Sequence, residues 1–153
     1  MRPSLLVLLL QKEVAERITA KPGEMSILAV SVQFYADPEI VEYVPKENFY
    51  PVPEVDSAIV RFIPLLTRGG EGEGFRSRFD VDEGKFFQLV KIGFSNKRKQ
   101  LQNNLSLLPS PLTGEGGVRV DYKQILSSLG LNPLARAQDL SLEDWEKLYK
   151  KLI

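Results

Sequence analysis

The sequence contains no cysteine and no histidine in 153 residues. The first absence excludes disulfides and thiolate chemistry, the second excludes catalysis built on imidazole, and together they remove the ligands of the usual zinc sites. Net charge is also missing, with 20 Lys and Arg balancing 20 Asp and Glu. There is no long apolar run: the stretch from Leu5 to Leu10 is six residues, far below the ~20 needed to cross a bilayer. Gln11, Lys12 and Glu13 follow at once with no small-residue cleavage site, so the run does not read as a secretion signal. The expectation is a soluble, cytoplasmic chain, 43% hydrophobic, with no membrane or metal partner.

The zero net charge conceals an asymmetry. Residues 1–66 carry six Lys or Arg against nine Asp or Glu, a net of −3, whereas residues 84–153 carry eleven against six, a net of +5. Between Gly84 and Gly114 there are five bases (Lys85, Lys91, Lys97, Arg98 and Lys99) and no acid. Three adjacent bases alone fit a solvated helix face, but thirty residues without a carboxylate point equally to a polyanionic partner.

The continuous apolar run at residues 5–10 predicts a parallel strand buried on both faces. Residues 11–20 predict a helix, with Lys12–Glu16 and Glu13–Arg17 at i,i+4 spacing and Pro22-Gly23 as the stop. Residues 26–35 favour strand by composition, but Ile27, Val30 and Phe34 share a helical face, and helix is expected. Asp37-Pro38 reads as a turn, with strands at 40–44 and 55–63 after it. Three strands do not close a doubly wound sheet, so further strands are expected from a segment N-terminal to this one. Four glycines in residues 67–74 mark a boundary, dividing the chain into 1–66, a linker at 67–82 and a helical domain at 83–153. Within the last, helices are expected at 86–94, 97–105 and 122–129, the third capped by Asp121, with a Pro/Gly loop at 106–117. Asn132-Pro133 is expected to open a short helical turn, and Ser141 to cap a last helix with Trp145, Leu148 and Leu152 in its apolar stripe.

Four motifs occur in a telling order. The segment Asn48-Phe49-Tyr50-Pro51-Val52-Pro53-Glu54-Val55-Asp56-Ser57-Ala58 resembles the F-x-P-x-P-x-V-D-S-A signature of the KsgA-type ribosomal RNA adenine dimethyltransferases. Leu10-Gln11-Lys12-Glu13-Val14-Ala15-Glu16-Arg17 resembles that family's strand–helix junction. Phe94-Ser95-Asn96-Lys97-Arg98-Lys99 is similar to its F-x-x-R-R-K helix start, and Leu129-Gly130-Leu131 with Arg136-Ala137 to its L-G-x-x-P-x-x-R-A element.

The resemblance implies an α/β fold, the C-terminal part of a Rossmann-like methyltransferase sheet followed by a small all-α domain. It also implies methyl transfer from S-adenosylmethionine to the exocyclic amine of adenines in small-subunit ribosomal RNA. An enzyme acting on a base must take it out of its stack at ~ a few kcal/mol, and an aromatic platform recovers part of that. By resemblance Phe49 packs on the target adenine; the residues alone favour a core phenylalanine at the start of a strand, and the resemblance reverses that preference. Pro51, Pro53, Asp56 and Ser57 are given structural roles in the motif, and Lys91, Lys97, Arg98, Lys99 and Arg136 are the candidate RNA-binding bases. No histidine is needed, because the sulfonium is already a good methyl donor and the work is alignment. The family's glycine-rich cofactor loop and its Asn-Leu-Pro-Tyr element have no counterpart here, so the chain by itself is expected to bind no S-adenosylmethionine. Two readings follow: part of a methyltransferase inactive alone, or a non-catalytic RNA-binding remnant or ribosome-assembly factor.

Overall fold

Leu6–Gln11 forms a strand, β1, which runs without a loop into helix α1 (Lys12–Ile18). The computed structural model describes residues 3–65, 77–108 and 120–153. They fall into two units, Met1–Ala20 with Leu28–Phe79 and Lys21–Ile27 with Asp80–Ile153.

In the first unit, helix α2 (Ile27–Tyr35) passes directly into β2 (Ala36–Val44), and after a proline-rich loop comes β3 (Ser57–Pro64). The sheet order is β1-β3-β2, with β3 antiparallel to both neighbours. Among the described residues β1 pairs with β3, antiparallel, and not with the parallel neighbour its apolar run predicts, and Leu6, Val7, Leu8 and Leu9 are 42%, 53%, 39% and 52% exposed. An apolar run specifies neither direction nor neighbours, and the one strand paired to β1 leaves its outer edge open. Nor does Asp37-Pro38 turn the chain; Pro38 sits inside β2 opposite Phe62, tolerated because β2 is an edge strand. A bulge follows between Ile40 and Glu42, leaving Val41 without a partner on β3.

β3 alternates as a half-buried strand should. Ala58, Val60 and Phe62 face inward and pack with Ala15 and Ile18 of α1, joined by Leu10, Val14, Val32, Ala36 and Ile40. Each fully buried large side chain contributes about 1.5–3 kcal/mol. On the other face Arg61 pairs with Glu39 at the surface. The expected pairs Lys12–Glu16 and Glu13–Arg17 do not form; Glu16 instead accepts from the Tyr43 hydroxyl at 3.3 Å, and Lys12 Nζ lies 5.4 Å from the Tyr43 ring centre. Of the expected linker, residues 67–76 lie outside the described residues. Arg78 near its far end is anchored to this unit through Asp37, the Gln33 carbonyl (3.0 Å) and the Phe34 carbonyl (2.8 Å).

The second unit is helical: α3 (Glu83–Gly93), α4 (Leu101–Leu105), α5 (Tyr122–Ser128) and α6 (Leu142–Leu152). Asp82 caps α3 by accepting from the Lys85 N–H (3.0 Å), Asp121 caps α5 through Gln124 (3.2 Å), and Ser141 and Asp144 form a reciprocal capping box on α6 (both 3.1 Å). Gly130, just past α5, has φ +74°, which a side chain would strain. The core is built from Phe86, Leu89 and Val90 on α3, Leu101 and Leu105 on α4, and Leu142, Trp145 and Leu148 on α6. Trp145 is fully buried and stacks on Phe94 at 5.7 Å.

Two expectations about helices are corrected in this unit. The helix expected from residue 97 begins only at Leu101, so Lys97, Arg98 and Lys99 occupy a turn closed by the Lys99 N–H on the Asn96 carbonyl (3.0 Å). Asn132-Pro133 opens no helix: the Asn132 side chain accepts from the Leu134 N–H (2.9 Å) in a local turn. Lys21–Ile27, inside the expected first domain, groups with the helices, because Gly23 and Met25 donate to the Gln138 carbonyl at 2.9 and 3.2 Å. Of the expected loop at 106–117, residues 109–117 lie outside the described residues.

Candidate nucleic-acid interface and target-base loop

The signature loop lies at one end of the sheet. β1 and β2 run in the same direction and β3 enters between their carboxyl ends, where Ser57 pairs with both Gln11 and Val44. The loop joins β2 to β3 through Pro45 and a single 3-10 turn, Lys46–Asn48. Asp56 closes it: its carboxylate accepts from the Lys46 N–H (3.1 Å) and its carbonyl from the Lys12 N–H (3.0 Å). Phe49 caps the 3-10 turn in an extended conformation, its N–H on the Lys46 carbonyl at 3.2 Å, and is half-buried. The Tyr50-Pro51 peptide is cis, and Pro51 and Pro53 are exposed. Tyr50, which sequence reasoning did not single out, is 101% exposed beside Phe49.

Residues for the methyl donor are another matter. At the β1–α1 junction the chain passes through Gln11 and Lys12 without a glycine, and the adjacent cavity of about 330 Å³ is lined by Lys12, Glu13, Glu16, Lys46, Glu54, Val55 and Asp56. Four carboxylates and no glycine cradle do not fit an S-adenosylmethionine pocket. The described glycines with positive φ, Gly23 and Gly130, lie in the helical unit, and the glycine cluster at 69–74 lies outside the described residues. No group of His, Cys, Asp or Glu among the described residues could hold a metal ion. None of their helices is long and apolar enough to cross a membrane.

The basic residues lie at the junctions of the helical unit. Lys91 is exposed in the last turn of α3, beside a shallow groove, and Ser95 to Lys99 are all exposed in the turn that follows. The Leu101 N–H donates to the Ala135 carbonyl at 2.8 Å, so the segment carrying Arg136 is tied to the start of α4, two residues after Lys99. Two motifs thirty-odd residues apart in sequence thereby meet. None of Lys91, Lys97, Arg98, Lys99 or Arg136 makes an ion pair among the described residues, in contrast to Lys147 with Asp144 and Lys150 with Glu146. Sequence reasoning also missed Asn104, the one buried polar residue in the described core. Nothing in Leu-Gln-Asn-Asn-Leu says which of its two asparagines turns inward.

A family model described as "Ribosomal RNA adenine dimethylase" matches residues 2–153. The chain belongs to that family. It is 40% identical over 148 residues to a "Ribosomal RNA small subunit methyltransferase A" of Dehalococcoides mccartyi strain CBDB1, covering 97% of this chain and 46% of that protein. A protein of the same name from Nostoc sp. strain PCC 7120 is 41% identical over 146 residues, covering 94% of this chain and 47% of its own length. The chain thus spans about half the length of these curated relatives. Among solved structures, a dimethyladenosine transferase from Plasmodium falciparum superposes with TM-score 0.65 at 26% identity, covering 95% of this chain and 55% of that one. The 23S rRNA methyltransferase ErmE shares the fold with TM-score 0.63 at 24% identity, over 97% of this chain and 55% of that one. The fold is thus the mixed α/β of Rossmann-like rRNA methyltransferases.

Proposed function

We propose that this chain is the RNA-engaging part of a ribosomal RNA adenine dimethyltransferase, a cytoplasmic enzyme that methylates the exocyclic amine of adenines in small-subunit ribosomal RNA. The methyl donor, S-adenosylmethionine, is held by residues other than those described, and further strands of the sheet join the open edge of β1, where Leu6 to Leu9 now meet water. The half-buried Phe49 ring serves as the platform for the extruded adenine, in a loop that Pro51, Pro53, Asp56 and Ser57 hold against the sheet. The basic turn at Lys97, Arg98 and Lys99, with Lys91 and Arg136, grips phosphates. A non-catalytic RNA-binding role is the second reading, which the same exposed bases would serve.

The observation that carries the proposal is the cluster of exposed bases, Lys97, Arg98 and Lys99 in one turn with Lys91 and Arg136 on the segments tied to it, none of which makes an ion pair among the described residues. The test is fluorescence anisotropy of the 153-residue chain with a labelled RNA stem-loop bearing unpaired adenines. Replacing Lys97, Arg98 and Lys99 together by Ala should weaken binding. It should also flatten the dependence of log K on log salt by about 0.7–0.9 for each phosphate no longer neutralised. Unchanged affinity and slope would mean that these bases are only solvated.

A further inference from the structure

Asn104 lies on α4, is 1% exposed, and uses both amide hydrogens on the stretch that leads into the basic turn. Its Nδ2 donates to the Gly93 carbonyl at 2.6 Å and to the Asn96 carbonyl at 3.1 Å. Gly93 ends α3, and Asn96 is the residue before Lys97. The Asn96 carbonyl is also the acceptor that closes the turn on the Lys99 N–H (3.0 Å). One side chain therefore holds the point from which the three bases project. Its Oδ1 is buried with no hydrogen-bond partner among the described residues. A half-satisfied buried amide is unfavourable compared with an apolar side chain of similar size. A leucine, as at the flanking and fully buried Leu101 and Leu105, would bury no unpaired oxygen but would take the donors away from the Gly93 and Asn96 carbonyls.

We infer that Asn104 is a positioning residue for RNA binding, fixing the 95–99 turn so that Lys97, Arg98 and Lys99 meet successive phosphates without an ordering cost on binding. The inference rests on the RNA-binding reading above. Asn104 touches no RNA itself; its carboxamide supplies two donors that neither Ala nor an ionised Asp can supply.

The experiment measures anisotropy of the full chain with the same RNA stem-loop, at temperatures where circular dichroism shows each variant folded. Asn104→Ala should weaken binding and flatten the salt dependence by about 0.7–0.9 for each phosphate that a base no longer reaches. In the Lys97→Ala, Arg98→Ala, Lys99→Ala background it should have no further effect, because the groups it positions are gone. A purely structural residue would weaken binding equally in both backgrounds, and that outcome overturns the inference. Asn104→Asp gives a second readout, since a buried carboxyl facing two carbonyls is held neutral at higher pH than usual and then donates again. Its RNA affinity should recover as pH falls from about 8 to about 6, a range in which a chain with no histidine has no side chain of ordinary pKa to titrate. An affinity as flat with pH as that of the unsubstituted chain also overturns it. If the triple variant itself binds normally, the RNA-binding reading of the turn fails; if only Asn104→Ala binds normally, the positioning role fails alone.

Discussion

Gly93 is the residue whose substitution the packing predicts most directly. A Cβ built there would sit 2.3 Å from Trp145 Cη2, 3.0 Å from Cζ3 and 3.1 Å from Leu101 Cδ1. The indole has no free direction in which to step aside, being fully buried and stacked on Phe94. Overpacking of this kind costs about 1–3 kcal/mol. Replacing a helical glycine by alanine returns roughly 0.5–1 kcal/mol, less here because Gly93 ends α3. Gly93→Ala should therefore destabilise the helical unit by about 0.5–2 kcal/mol. Trp145 is the chain's only tryptophan, so its fluorescence reports this unit during urea unfolding. At a slope of about 1–3 kcal/mol per molar the midpoint should fall by roughly half a molar. In a Trp145→Phe background, followed by circular dichroism, the same substitution should cost less, because the ring atoms it strikes are absent. An unchanged or higher midpoint for Gly93→Ala, or an equal cost in both backgrounds, would refute the steric reasoning.

Ser141→Ala removes one half of the capping box on α6 and should lower stability by about 1 kcal/mol, read as a reduced melting temperature by far-UV circular dichroism; an unaltered melt would show that Asp144 caps the helix alone. Burial holds the Tyr122 hydroxyl above the ordinary tyrosine value of 10.0. Its folded-state pKa is raised, so its contribution is fully present below pH 10.0 and is lost as pH rises through the folded value. Tyr122→Phe should remove part of the alkaline loss of stability, measured as unfolding midpoints from neutral pH to above pH 10, and an identical alkaline profile would exclude the effect.

Much of the architecture is legible in the sequence because its signals are local. Capping residues at Asp121 and Ser141, the glycine after α5 and the spacing of Trp145, Leu148 and Leu152 each specify backbone and face within a few residues. The signature around Phe49 is likewise readable as a proline-restrained loop between two strands. Expectations about partners fare worse. The apolar run of β1 reads as parallel and buried, yet direction and burial belong to whichever strands and helices lie beside it, and here β3 is antiparallel. Pro38 reads as a turn because the edge position that tolerates it is a property of the sheet.

For the basic turn, sequence alone determined which charges are present and that thirty residues carry no acid among them. Tertiary structure decided that Lys97 to Lys99 leave the helix, that Leu101 meets Ala135 and so brings Arg136 beside them, and that Asn104 rather than Asn103 turns inward to hold the turn. Charge is carried by a residue wherever it goes, whereas a hydrogen bond between residues 11 or 34 positions apart exists only once packing has closed the intervening chain.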